Sequence, residues 1–360
     1  MAMLVTIREP GRAPIMRSVV EGHFGDPDEA AIDDELATTD LFALPGLADC
    51  HGHLAMNALG DLSGLDDASV VANTSSNAWA QVEGGVLLVC DKGSNSDASL
   101  LILDAPPTDR PQLQMAGRTI ATPGGYYDGY AVEVDDAGLA DAVAAAAGPH
   151  GWVKIVADWP RRGSGPQANF STEALEAAVA VAHAAGCRVA AHTMAPAGTR
   201  PVLDSGVDSV EHGLFMNEDD VKLLAERGGA WVPTLLGVET IVEFLGAESS
   251  GGRLLRTGID NVGELLPIAE QLGVTILAGT DLAVPHGRVA AEAVRLAEAG
   301  LSSEVAIAAA STAAYDYLGV DRSFAVGESA DAVFFTEDPR ENPSVLLDPA
   351  VVMRAGRIVR

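Results

Sequence analysis

Lysine is scarce in this chain: of its 22 lysine and arginine residues, only Lys92, Lys154 and Lys222 are lysines. With 51 acidic residues the formal net charge is −29, which argues against nucleic acid or an anionic membrane surface as a partner. No run approaches the roughly 18 consecutive apolar residues of a membrane helix. The N-terminus carries no continuous apolar stretch of the signal-peptide kind. Cysteine is limited to Cys50, Cys90 and Cys187. An odd number without CxxC spacing argues against a disulfide framework and for a reducing compartment. Each lies in or beside an apolar run and reads as a small buried hydrophobe. Internal repeats and low-complexity linkers are also absent. The expectation is a cytoplasmic protein acting on a small molecule, with no nucleic-acid or membrane partner and compatible with a homo-oligomer.

What the chain does have is 360 residues, 48% of them hydrophobic and only 5% aromatic. This suits many small-residue helices packed on strands, and an α/β barrel can use most of such a length as one domain. Residues 1–44 carry short alternating segments, Met3 to Ile7 and Ser18 to Phe24. From residue 45 onward, apolar runs alternate with alanine-rich helical patterns. The runs are Val86–Cys90, Gln112–Ala116, Trp152–Val156, Arg188–Ala191, Ser209–Val210, Ala230–Pro233 and Thr275–Ala278. The helical patterns are Asp136–Ala147, Thr172–Ala185, Glu218–Arg227, Val262–Leu272 and Ala290–Ala299. With the run before His51, eight strands and their helices predict βαβ units closed into a barrel over 45–317. Ser171 and Asn217 precede carboxylates and read as N-caps, and Gly186 and Gly228 as helix stops. Ala332–Thr336 and Val351–Val359 return to strand, the latter turning at Ala355-Gly356. Segments 1–44 and 318–360 are therefore expected to pair as a small β domain.

The chemistry concentrates at strand ends. In extended backbone residues i and i+2 share a side, so His51 and His53 can converge on one point, with Gly52 leaving room between them. Two neutral imidazoles on one face suit a borderline-soft divalent metal. Lys154 interrupts Trp152-Val153-Lys154-Ile155-Val156, where a buried ammonium must be neutralised, paired or modified. His192, His212 and Asp281 each close a further apolar run. Taken singly, each has an ordinary reading as a core histidine, a snorkelling lysine or a turn aspartate. Six such residues in order, each after an apolar run, point to one site.

This arrangement resembles the amidohydrolase superfamily, in particular its imidazolonepropionase-like and metal-dependent dipeptidase (prolidase-like) branches. The resemblance rests on Leu44-Pro45-Gly46-Leu47-Ala48-Asp49-Cys50-His51-Gly52-His53, Val153-Lys154-Ile155, and Gly206 to Gly213 with Glu211-His212. It continues with Gly279-Thr280-Asp281, Pro285-His286-Gly287, Gly327 to Val333 and Val352 to Arg357. It implies a (β/α)8 TIM barrel with a small β-sandwich built from both termini. It further implies that His51, His53 and Asp281 hold one divalent ion and that His192 and His212 hold a second. A CO2-derived carbamate on Lys154 would bridge the two. Zinc is the first expectation on ligand type. The implied nucleophile is a hydroxide between the ions, and Asp281 would take its proton and pass it to the leaving nitrogen.

The chain departs from the family around the substrate. His192-Thr193-Met194 lacks the glutamate of deaminating members and the second histidine of many dipeptidase-like ones. Gly124-Gly125-Tyr126 stands where Gly-Gly-His is common. Trp159-Pro160-Arg161-Arg162-Gly163 replaces a glycine-rich loop. Tyr126, Tyr127, Arg161, Arg162 and His286 are the candidate substrate contacts, the arginines as a carboxylate fork and the tyrosines as stacking faces with a hydroxyl. The expected activity is hydrolysis of an amide-type C–N bond in a dipeptide, N-acyl amino acid or related small amide. The alternatives are a cyclic amide, imide or lactone hydrolase at the same centre, or a catalytically silent metal- or ligand-binding relative.

Overall fold

Val5 and Ile7 face inward from β1 (Ala2–Ile7). This strand is flanked on one side by β2 (Ile15–Val20), followed by β3 (His23–Gly25), and on the other by β4 (Ile32–Leu36). The structure is a computed structural model and describes residues 2–27, 32–57, 65–161, 164–282 and 284–360. The alternating segment Ser18 to Phe24 proves to be two strands, because Glu21 and Gly22 adopt positive φ (50° and 85°) and turn the chain. β5 (Phe42–Leu44) then leads toward the interior.

The central strands are parallel. β6 (Leu47–Gly52) and β7 (Val86–Asp91) are buried along their whole length, as strands covered on both faces are. With β8 (Gln112–Met115) they form one sheet. A second sheet contains β9 (Ile120–Ala121), β10 (Val132–Glu133) and β11 (Trp152–Val156). After β11, the hairpin of β12 (Asp158–Arg161) and β13 (Gly165–Ala168) projects separately. The second sheet continues through β14 (Arg188–Thr193), β15 (Ser209–His212), β16 (Ala230–Val232) and β17 (Thr275–Ile276). Backbone bonds join the two sheets at two seams. Met115 N–H donates to the His150 carbonyl (2.9 Å) on the β8 side, and Cys50 N–H donates to the Ala278 carbonyl (2.8 Å) on the β6 side.

Helices cover these strands: α1 (Asp67–Glu83), α2 (Asp136–Ala146), α3 (Thr172–Ala184), α4 (Pro196–Asp204), α5 (Glu218–Arg227), α6 (Leu235–Leu245), α7 (Ser250–Leu272), α8 (Val289–Glu298), α9 (Ser303–Ala309) and α10 (Thr312–Leu318). The expected caps are present. Asn217 accepts from Asp220 N–H and Asp220 accepts from Asn217 N–H, both at 3.0 Å, while Ser171 accepts from Ala174 N–H at 3.2 Å. α7 starts well before Val262. Gly251, Gly252 and Gly258 disguise its first turns, yet Gly252, Leu255, Gly258 and Val262 form a buried stripe at helical spacing, and Gly258 lies against Leu214.

β18 (Ala332–Phe335), β19 (Val351–Arg354) and β20 (Arg357–Ile358) return to pair with β5 in an antiparallel sheet, turning at Ala355-Gly356. Val5, Ile7 and Phe24 from the first sheet share one apolar cluster with Phe324, Phe334 and Met353. The chain is thus α/β with parallel central strands, and its two ends share an apolar core. Cys50, Cys90 and Cys187 are free and buried, as expected of small hydrophobes. Among the described residues, no helix is long and apolar enough to cross a membrane.

Candidate metal centre

Parallel pairing brings the histidines and Asp281 to or just beyond the C-terminal ends of their strands, with Lys154 in the middle of β11, two residues before the position opposite His192. Val156 lies opposite His192 between β11 and β14, and Thr193 lies opposite His212 between β14 and β15. Asp281 follows β17, held by its N–H to the His51 carbonyl at 2.7 Å. All six side chains line one cavity of about 550 Å³. His51, His53, Lys154, His192 and His212 are buried, Lys154 to 3% exposure. His212 and Asp281 have left-handed backbone (φ 66° and 57°), as does Thr234 (φ 49°) beside His212. Such conformations cost energy for residues with a Cβ and persist where their surroundings hold them.

Hydrogen bonding fixes which ring atoms are presented. His53 Nδ1 donates to the Gly93 carbonyl at 2.7 Å, leaving Nε2 as a lone pair 3.5 Å from Asp281 Oδ1. Thr234 gives its hydroxyl proton to the Pro233 carbonyl, so its oxygen accepts from His212 Nδ1 at 2.6 Å. The lone pair of His212 is therefore on Nε2, which faces His192 Nδ1 at 3.0 Å. His51 Nδ1 lies 2.5 Å from Glu211 Oε2, a proximity that favours the proton on Nδ1. Its Nε2 is 3.4 Å from Lys154 Nζ and 3.7 Å from Asp281 Oδ1. Among the described residues, His51, His212 and Asp281 have donor atoms all within 4.8 Å of one another, a grouping that crosses the two ion sets the resemblance implies.

Burial, followed by the nearby cations, keeps these imidazoles neutral. His53 is pushed down to about 4 and His192 to about 3, and His51 and His212 also lie well below their ordinary value. Burial lowers the Lys154 amine to about 8 and raises the Asp281 carboxyl. Neutral imidazoles, a carboxylate and a depressed amine around one cavity are the donor chemistry a divalent metal requires, so the residues present fit the implied ions.

A supporting layer surrounds the cluster, and most of it escapes the sequence reading. Lys92 Nζ is 3.3 Å from Glu211 Oε1 and 3.9 Å from the centre of a Trp152 ring. Burial pushes the Glu211 carboxyl up, but Lys92, Lys154 and the Ser209 hydroxyl more than offset this, so it stays ionised. Lys92 ends a buried apolar run, the same signal that singles out Lys154. Asp158 accepts from the Thr193 hydroxyl (2.7 Å) and from Met194 and Ala195 N–H (3.0 and 3.1 Å), holding the turn after His192.

The expected substrate contacts separate. Tyr126 and Tyr127 line the cavity. Arg161 does not: its guanidinium donates to Asn169 Oδ1 at 2.7 Å and to the Pro123 carbonyl at 3.4 Å. It is committed to bracing its own hairpin, so it does not form half of a carboxylate fork. Arg162 lies outside the described residues. His286 also misses the cavity lining, with Nε2 on the Met56 carbonyl (2.8 Å) and Nδ1 facing Gln81 Nε2 (3.4 Å). A second cavity of about 600 Å³, beside the Asp331–Arg354 ion pair, contains none of the six residues.

Residues 42–359 match the sequence model of the Amidohydrolase family. An uncharacterized protein of Mycobacterium tuberculosis is 34% identical over 386 residues, covering 98% of both chains. Among solved structures, a Xaa-Pro dipeptidase with bound methionine in its active site superposes with a TM-score of 0.83 at 23% identity, covering 100% of each chain. The ochratoxinase of Aspergillus niger gives 0.81 at 19% identity, covering 100% of this chain and 96% of the other.

Proposed function

Because the chain belongs to the amidohydrolase family and is a hydrolase of carbon–nitrogen bonds, we propose that it works through two divalent ions on a small amide. His51, His53 and Asp281 would hold one ion and His192 and His212 the other, with a carbamate of Lys154 between them. Zinc suits this mixture of imidazole and carboxylate best. The observation that carries the reading is Asp281 Oδ1 standing 3.7 Å from His51 Nε2 and 3.5 Å from His53 Nε2, beside a buried lysine that has no carboxylate within 4.0 Å among the described residues. The same reading closes the eight strands expected from the sequence, β6–β8, β11 and β14–β17, into a (β/α)8 barrel over 45–317, and the two backbone seams support it. Segments 1–44 and 318–360 then form the accompanying β-sandwich, consistent with their shared apolar cluster. Buried free cysteines and the net charge of −29 favour a reducing, cytoplasmic setting without nucleic-acid or membrane partners.

When bound, the ions supply an acidified water and polarise the scissile carbonyl. The rest falls to the chain's own groups. Asp281 Oδ1 accepts from Leu282 N–H at 2.7 Å, which leaves Oδ2 without a hydrogen bond among the described residues. That oxygen takes the proton of the attacking water and hands it to the leaving nitrogen. The substrate class is a dipeptide, N-acyl amino acid or related amide. The test is metal analysis of the purified protein combined with amine release from a panel of such amides. Close to two ions per chain with metal-dependent amine release supports the reading. One ion per chain, or amine release that survives chelation, overturns it.

A further inference from the structure

Two groups of apolar side chains line the cavity that holds the candidate ligands. Tyr126, Tyr127 and Trp159 form a ring cluster packed edge to face, with centroids 4.7 to 4.9 Å apart. The cluster continues directly onto the candidate ligands, with Trp159 5.8 Å and Tyr126 6.4 Å from the His192 ring. Ile241, Phe244 and Leu255 come from α6 and α7. Phe244 is 74% exposed, a large ring left uncovered at the edge of the same cavity.

The cavity is poor in charge for its size. Among the described lining residues the one lysine or arginine is Lys154, within the ligand cluster, and the acids are Asp158 and Asp281. Asp158 is occupied by three hydrogen bonds. Away from the candidate ligands, a carboxylate placed against the apolar walls would lose water without gaining a lysine or arginine among the described lining residues. An aromatic ring would be received edge to face by the three-ring cluster and would cover Phe244. The Tyr126 and Tyr127 hydroxyls, which have no hydrogen bond among the described residues, can serve a neutral acceptor.

We propose that the substrate's recognition group is a bulky, uncharged aryl group next to the scissile amide, seated against Tyr126, Tyr127, Trp159, Ile241, Phe244 and Leu255. The proposal rests on the amide-hydrolase reading and narrows it. Because the apolar wall begins at His192, the aryl group sits on the acyl or amine fragment itself and not at the end of a long linker. In the reaction, water adds its oxygen to the carbonyl carbon, the C–N bond breaks and the nitrogen takes a proton, giving a carboxylate and an amine. A volume of about 550 Å³ admits a fused bicyclic ring together with the amide.

The experiment uses the full, metal-loaded chain and three probes that all release methylamine: N-methyl-2-(naphthalen-2-yl)acetamide, the same ring bearing a carboxylate, and N-methylacetamide. Turnover is read by amine release, and binding of neutral 2-naphthamide is read separately by quenching of tryptophan fluorescence. The expected result is at least tenfold higher kcat/KM for the uncharged naphthyl probe than for either other probe. Phe244→Ala and Trp159→Ala should each raise the naphthamide Kd by about tenfold, in line with the apolar area they remove. Phe244 is exposed, so its variant should fold, and circular dichroism checks this. Equal or faster turnover of the carboxylated ring overturns the proposal, as does a naphthamide Kd unchanged in both variants. If no probe is hydrolysed, binding decides: Phe244-sensitive binding keeps the aryl site while removing the hydrolase reading, and absence of binding removes the aryl site.

Discussion

Lys92 Nζ and Glu211 Oε1 lie 3.3 Å apart beneath the candidate ligands, and both side chains are almost wholly buried. The other oxygen of Glu211 contacts His51 Nδ1 at 2.5 Å, so the lysine acts on the ligand cluster through the carboxylate. A buried ion pair is weak support for stability in itself, but breaking it from one side strands a charge, at a cost of about 3–5 kcal/mol.

Glu211→Gln should therefore destabilise the protein by a few kcal/mol in urea unfolding and lower its metal affinity by about 10–100-fold in a chelator competition. Lys92→Met should do the same by leaving Glu211 unpaired. Combining the two should cost clearly less stability than their sum, because neither charge is then stranded. Additive losses would show that the two side chains do not act as a unit.

Lys154 is the contrasting case. It is as buried as Lys92 yet has no carboxylate within 4.0 Å among the described residues, and burial brings its amine down to about 8. A neutral amine is the form that adds to CO2, releasing a proton and becoming an anionic oxygen donor. Lys154→Ala should lose much of its divalent metal by elemental analysis and recover part of it in millimolar propionate. Lys154→Arg, whose guanidinium cannot form a carbamate, should show no such recovery. Unchanged metal content in both variants would remove the bridge.

The candidate ligands are legible in the chain because each interrupts or closes an apolar run, where a titratable group is conspicuous. Their supports are not legible. Lys92 carries the same signal as Lys154, but its relation to Glu211 depends on parallel strands meeting across the fold. The left-handed backbone of His212, Thr234 and Asp281 follows from tertiary contacts: histidine and aspartate tolerate it better than most residues, but β-branched Thr234 adopts it only where its surroundings impose it. Arg161 was expected at the substrate, but the β12–β13 hairpin, invisible to a strand-then-helix reading, spends its guanidinium on Asn169. That hairpin presents Trp159 to the cavity instead. Ile241 and Phe244 are plain apolar helix residues, and nothing in their spacing says that part of their face borders a cavity.

The depressed histidines give the metal-free protein a defined pH dependence. A histidine whose folded value lies below its unfolded one is neutral when folded and protonated when unfolded between the two values. The unfolded state then binds more protons, and stability falls as pH drops through that interval. For His53 the interval runs from 6.5 to about 4, and for His192 from 6.5 to about 3. Urea unfolding of chelated protein between pH 6.5 and 4.5 should show this loss. His53→Gln or His192→Asn should each flatten the slope by up to about 1.4 kcal/mol per pH unit. Identical slopes in wild type and variants would mean these imidazoles are not held neutral.

On the proposed reading Asp281 has two duties, ligand and proton carrier, that a single substitution can separate. Its carboxylate faces His51 and His53 as a donor, at 3.7 and 3.5 Å, and its Oδ2 is available to carry a proton. Asp281→Asn keeps the shape, the Leu282 N–H bond and one neutral oxygen donor, but an amide cannot accept the proton. The backbone at 281 is left-handed, with φ 57°, a region asparagine tolerates as readily as aspartate, so the fold should survive with little change in urea midpoint. Metal content should fall partially, because His192 and His212 remain and His51 and His53 lose only one partner. Turnover of the best amide should fall by about 10²–10⁴-fold, the usual worth of general acid–base catalysis. Asp281→Ala should lose more metal than Asp281→Asn at a similar loss of rate. If Asp281→Asn instead retained substantial turnover, another group would be the base. His286 is a poor substitute, since its Nε2 is held by the Met56 carbonyl, and Asp158 would be the next residue to test.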